Sequence, residues 1–174
     1  MSKRSNFEKI PKDFYATTDP KAVPPKFIDY IRGKTYAEPC CGEGDLVDLL
    51  ADIAVCRWES DIENRGAGKI WDAMCLTEHE LEKCELIITN PPYTKDVLLP
   101  MIDHFISLRP TWLLLPSDLA HNIYFKPYMG CCSRIISVGR LRWFKDSKHT
   151  STENFCWYHW ASPEPTQTVL HGRS

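Results

Sequence analysis

No run of apolar residues in this 174-residue chain is long enough to span a bilayer; the longest, such as Trp112 to Leu115, fall far short of the roughly 20 required. The basic start, Met1 to Lys9, leads into no apolar segment, so no signal peptide is read from it. A dominant charge sign is also missing. With 21 basic and 23 acidic side chains the net charge is -2, which excludes a histone-like polycation but not a local basic patch. The eight cysteines include no Cys-x-x-Cys, and two adjacent pairs (Cys40-Cys41 and Cys131-Cys132) make a poor framework for disulfides or structural zinc. Most are expected to be small core residues in a reducing compartment, and the expectation is a cytoplasmic chain with no membrane segment and no metal.

What is present fits one folded domain over residues 1–174. Apolar residues make up 43% and charged residues 25%, enough to bury a core without staples. Residues 1–12 and 163–174 are expected to be flexible tails. Charge is uneven along the chain: residues 1–40 carry 8 basic and 5 acidic groups, 41–103 carry 5 and 14, and 104–174 carry 8 and 4. An acidic middle between basic ends suggests an anion-binding face assembled from the ends, although solvated surface charge explains the same pattern.

Strand and helix signals alternate. Short strands are expected at Thr35–Ala37, Ile53–Trp58, Gly68–Trp71, Leu86–Thr89, Thr111–Leu115, Ser133–Val138 and Phe155–Ala161. Helices are expected from Pro24 to Arg32, Asp45 to Asp52, Leu76 to Lys83 and Val97 to Leu108. The alternation predicts an α/β fold with a mostly parallel sheet covered on both faces. Ligands of such sheets bind at the carboxyl ends of the strands.

Those ends hold the informative residues. The first strand runs into Glu38-Pro39-Cys40-Cys41-Gly42-Glu43-Gly44, where Gly42 and Gly44 would let backbone amides approach a ligand closely. The second ends in Asp61-Ile62, and Asp61 lies 19 residues after Gly42, near the offset of a ribose-binding acid. The third ends in Asp72-Ala73 and the fourth in Asn90-Pro91-Pro92-Tyr93. Each piece alone also reads as a turn, a helix cap or a surface acid. The last is distinctive: two prolines remove two donors and stiffen the backbone, leaving an acceptor-rich rim beside a flat aromatic face.

Together these segments resemble the S-adenosylmethionine-dependent amino-methyltransferases, above all the adenine-specific DNA methylases and, among them, the short one-domain form encoded by bacterial viruses. The resemblance covers about residues 13–161. It rests on the Asn90-Pro91-Pro92-Tyr93 match to the catalytic [D/N/S]-P-P-[Y/F/W] motif, the Glu38–Gly44 loop, Asp61-Ile62, Asp72-Ala73, and the segment Phe14-Tyr15-Ala16-Thr17-Thr18-Asp19-Pro20. That segment departs from the usual Tyr-x-Thr-Pro at Thr18.

The resemblance implies a Rossmann-like class I methyltransferase fold with an antiparallel C-terminal strand, and S-adenosyl-L-methionine as cofactor. It implies cofactor contacts from Tyr15, Thr17, Glu38, Pro39, Gly42, Gly44, Asp61, Ile62, Asp72 and Ala73. It implies that Asn90 and Pro91 accept hydrogen bonds from an exocyclic amine, with Tyr93 stacking on the flipped base. A second aromatic is expected at Trp143 or Phe144, with Arg142 beside them on phosphate; ordinary core aromatics explain the same run. No separate target-recognition domain is expected in these 174 residues, so loose specificity or a recognition partner is expected. RNA adenine, a protein glutamine amide, or a retired fold used for binding remain as alternatives. The Pro39-Cys40 pair and the His79-Glu80 start of an incomplete zinc motif are set aside as decoys.

Overall fold

The computed structural model describes residues 15–143 and 150–173. Its centre is an eight-stranded sheet: β1 (Thr35–Glu38), β2 (Val55–Asp61), β3 (Lys69–Ile70), β4 (Leu86–Thr89), β5 (Thr111–Pro116), β6 (Arg134–Gly139), β7 (Phe155–Trp160) and β8 (Val169–His171). The spatial order is β3-β2-β1-β4-β5-β7-β6-β8. The first five strands pair parallel; β7 runs antiparallel to both neighbours, and β8 is parallel to β6. The expected mixed α/β architecture with a reversed late strand is therefore observed.

The central strands read as continuous apolar runs because both sheet faces are covered. Every residue of β4 and β7 is buried. On one face, α3 (Lys95–Leu108) and α4 (Lys126–Cys131) pack over Ile87, Leu113, Leu115 and Tyr158. On the other, α1 (Pro25–Ile31) and α2 (Asp45–Leu50) cover Tyr36, Ile88, Trp112 and Trp157. The ring of Phe27 stacks on Trp157 at 4.2 Å. The buried indoles find acceptors: Trp157 Nε1 donates to Ala22 O at 2.6 Å and Trp160 Nε1 to Tyr128 O at 2.8 Å.

Three expectations need correction. Leu76–Lys83 is a series of turns, not a helix. Only Leu76 and Leu81 are buried there, a spacing that makes no helical stripe, and the Arg109 guanidinium takes up the carbonyls of Leu81 and Cys84 at 3.2 and 2.9 Å. The second strand, read over Ile53–Trp58 with Asp61 beyond it, starts at Val55 and stays paired through Asp61, because β1 and β3 pair with its last residues.

The tail assigned to 163–174 is structured where it becomes β8. Thr168 Oγ1 donates to Cys132 O at 2.7 Å, Val169 N to Ser133 O at 3.0 Å, and the Tyr30 hydroxyl pairs with His171 Nε2 at 3.2 Å. Its side chains, such as Val169 and Leu170, are exposed, so no apolar burial marked this strand in the sequence. Residues 1–12 and Phe144 lie outside the described residues.

Candidate functional site

The chain leaves β1 toward β2 on one side and later adds β4 and β5 on the other. The carboxyl ends of β1 and β4 thus form the switch point where open α/β sheets bind ligands. A cavity of about 300 Å³ opens there. Its wall brings together Tyr15, Thr17, Glu38, Pro39, Asp61, Ile62, Asp72, Ala73, Asn90 and Pro92 from segments up to 77 residues apart in the chain. Gly42 and Gly44 shape the loop behind this wall.

Glu38 ends β1 and is 1% exposed. Its Oε1 accepts from the Thr89 hydroxyl and from Cys40 N, tying β1 to β4. Its Oε2 is buried without a hydrogen-bond partner although the residue lines the cavity. Burial pushes the carboxyl up to about 8, against the lowering effect of the Thr89 and Cys40 bonds. The nearby Cys40 thiol is held well above its ordinary value, chiefly by burial.

The glycine loop turns tightly before α2. Gly44 stands at φ 90 as the helix cap, a conformation costly for any other L-residue. Asp61, at the end of β2, accepts Gly42 N on Oδ2 and Glu63 N on Oδ1, both at 3.0 Å. The carboxylate therefore holds the loop while facing the cavity. Arg65 lies 3.7 Å from Asp61 Oδ1 and also lines the wall. The connection from β2 to β3 spans only residues 62–68, short for parallel strands. It fits because Gly68 packs on the loop: a Cβ there would stand 2.8 Å from Cys41 Sγ and from Glu59 O. Asp72 caps a one-turn 3-10 helix by accepting Met74 N at 2.9 Å, while Ala73 is buried beneath. Met74 and Ile62 are both large, apolar and exposed on the cavity wall, 41% and 57%.

Asn90 stands at the mouth. Its Nδ2 donates to Tyr15 O at 2.9 Å and to Thr17 Oγ1 at 3.0 Å. With both donors used inward, Oδ1 points the other way, where it accepts the Tyr93 hydroxyl at 2.5 Å. The Tyr93 ring stacks on Tyr15 at 5.7 Å and leans on Phe155 at 5.8 Å. Trp143 joins this group, 5.6 Å from Tyr15 and edge-on to Phe155 at 4.8 Å. It is 8% exposed, so it supports the aromatic cluster from within. The Arg142 side chain is exposed, and its backbone N donates to Asp19 Oδ2 at 3.0 Å.

The Thr89 contact to Glu38, the Phe155 wall, and the lining roles of Arg65 and Met74 were not read from the sequence. Position at a strand end was the available signal for Thr89; the rest depend on contacts between distant segments.

No known protein family matches the sequence, and no curated protein is similar to it. Solved structures are similar in fold. A Pyrococcus horikoshii protein assigned as an RNA methyltransferase superposes with TM-score 0.54 at 12% identity, covering 78% of each chain. The fold is that of the class I methyltransferases. Magnesium protoporphyrin IX methyltransferase from Synechocystis, with bound S-adenosylmethionine, gives 0.53 at 14% identity, covering 82% of this chain and 79% of that one. The M protein of the type I restriction enzyme EcoKI gives 0.50 at 12% identity over 96% of this chain, which spans about half of that protein's length (48%).

Proposed function

We propose that the chain is an S-adenosylmethionine-dependent DNA adenine methyltransferase of low or partner-supplied sequence specificity. The observation that carries this reading is the Asn90 amide. Its nitrogen is tied inward to Tyr15 and Thr17, so its oxygen is presented at the cavity mouth beside an aromatic ring.

The residues present fit the cofactor. The unpartnered Glu38 Oε2 is an acceptor suited to a cationic amino group. Asp61, at the end of β2, suits a pair of ribose hydroxyls, and Ile62 and Met74 offer apolar faces for an adenine next to Asp72 and Ala73. Tyr15, Thr17, Pro39, Gly42 and Gly44 complete the enclosure or shape its loop. When bound, this cofactor supplies an electrophilic sulfonium methyl.

The target amine is a poor nucleophile because its lone pair is conjugated with the ring. Asn90 Oδ1 and the Pro91 carbonyl would accept its two N–H groups, turning the lone pair outward and stabilising the positive charge that develops. Pro92 keeps this rim rigid. The Tyr93 hydroxyl competes with the amine for Asn90 Oδ1, and the Tyr93 ring serves as the stacking face. Trp143 backs the aromatic cluster, and Arg142 is exposed for a phosphate. The fold shared with the EcoKI M protein agrees with a DNA substrate and a protein partner, whereas the likeness to a protein assigned as an RNA methyltransferase makes RNA the second reading.

The test is mass spectrometry of nucleosides from plasmid DNA and from RNA incubated with protein and cofactor, beside Asn90→Ala. Methyladenine in DNA across many sequence contexts, lost in Asn90→Ala, is the expected result. Methylation confined to RNA, or none on either polymer, overturns the DNA reading.

A further inference from the structure

The strand β8 does not drift from the body. It is pinned along β6 by the Thr168, Val169 and His171 contacts, and β8 runs parallel to β6 toward the same edge of the sheet. Arg173 is thereby carried to the carboxyl end of β6. A Cβ placed on Gly139 would stand 3.1 Å from Arg173 Nη1 and 3.3 Å from its Cζ, so the guanidinium lies against a backbone that has no side chain there. Arg140 and Arg142 follow Gly139 within three residues, both exposed. Among the described residues none of these three guanidiniums has an ion-pair partner, whereas Arg65 pairs with Asp61 and Glu63 and Arg109 with Glu78. Asp19, which packs at Arg142, spends its carboxylate on the backbone amides of Arg142 and Lys21. Leu141 and Trp143, alternating with these arginines, are buried, and Trp143 reaches Tyr15 of the cavity wall.

We infer that Arg140, Arg142 and Arg173 form a docking corner for the phosphate backbone of the nucleic-acid strand whose base is presented to the cavity. Three planar cations with no ion-pair partner among the described residues suit successive phosphates, which guanidinium groups bind through forked hydrogen bonds. The short segment 140–143 links the corner to the aromatic cluster, so a strand held by its backbone there has a base within reach of the Tyr93 ring. Contacts of this kind set register without reading sequence. The inference rests on the nucleic-acid reading of the site, and it gives the C-terminal strand a role the sequence did not suggest.

The experiment is fluorescence anisotropy of the full chain with a labelled 20-nucleotide single strand and its duplex, titrated over a range of salt. Methyl transfer is scored on the same samples. Arg173→Gln and Arg140→Gln are each compared with the unsubstituted protein. Each lost phosphate contact should lower the slope of log affinity against log salt by about 0.7 for the single strand and 0.9 for the duplex. The loss should be similar for unrelated sequences, and cofactor affinity should be unchanged. Unaltered slope and affinity in both variants overturn the corner even if methyl transfer is seen. A lowered slope without transfer to adenine leaves the corner standing and overturns the methylation reading. Failure of the unsubstituted protein to bind either probe overturns the corner.

Discussion

Glu38 and His159 are both buried titratable side chains in one sheet, yet their surroundings differ in kind. His159 lies in β7 near the amino-terminal ends of β5 and β6. Its ring stacks on Trp112 at 4.2 Å, and Nδ1 meets Ser133 Oγ at 2.7 Å and Arg134 Nη1 at 3.1 Å. Burial, aided by the Arg134 charge, lowers its pKa to about 3, so it is neutral. Every part of that surrounding is supplied by the protein. Glu38 lies at the carboxyl end of β1 with one oxygen satisfied and the other bare. An unpaired buried acceptor costs about 1–3 kcal/mol. Such a cost is tolerated where a ligand completes the set, and the cavity supplies the place for one.

The largest effect is expected at the mouth of the cavity. Asn90→Ala should lower turnover by about 10²–10³-fold, by analogy with removing one preorganised polar group from a reacting centre, while cofactor affinity stays the same. Single-turnover kinetics and calorimetry separate the two. A fall in cofactor affinity as large as the fall in rate would mean that Asn90 acts mainly by holding Tyr15 and Thr17.

Next in size, Asp61→Ala should weaken cofactor binding by about 1.5–3 kcal/mol, the range for hydrogen bonds to a charged group. Unchanged affinity would remove Asp61 from the ribose site.

The two buried groups themselves predict opposing pH dependences. The folded pKa of Glu38 is raised, so its stabilising contribution is full below about 4.5 and lost as pH climbs toward 8. The folded pKa of His159 is depressed, so the ligand-free protein loses stability as pH falls from about 6.5 toward 3. Between 4.5 and 6.5 the two slopes offset each other. From 6.5 to 8 only Glu38 remains, and stability should fall by about 2 kcal/mol in total, at most about 1.4 per unit. Thermal melts across pH check this, and Glu38→Gln should flatten the upper limb alone. If a cationic amino group binds at Oε2, cofactor affinity should rise with pH up to about 8 as a proton is released, measurable by calorimetry in buffers of different ionisation heat.

The smallest effect is expected from Tyr93→Phe. It keeps the ring and frees Asn90 Oδ1 from a bond worth about 1 kcal/mol, so the apparent KM for nucleic acid should drop by up to about fivefold. A rise would mean that the hydroxyl assists the bound base.

Much of the layout of the candidate site was legible in the chain because its parts are local. Glu38 and Asp61 end β1 and β2, Asp72 and Asn90 come within two residues of the ends of β3 and β4, and a parallel sheet delivers such strand ends to one edge. The turns over 76–84 and the strand β8 escaped for opposite reasons. The first has helix-forming residues without a buried stripe, and the second is held by backbone pairing with exposed side chains.

Alternation of strands and helices, the positions of the glycines and the order of the strand-end motifs are properties of neighbouring residues, and the sequence alone determined them. Which oxygen of Glu38 stays bare, which way the Asn90 amide faces, and where Arg173 comes to rest depend on partners 51, 75 and 34 residues away. Only tertiary packing decided those, because hydrogen-bond satisfaction is settled between segments and leaves no local pattern in the chain.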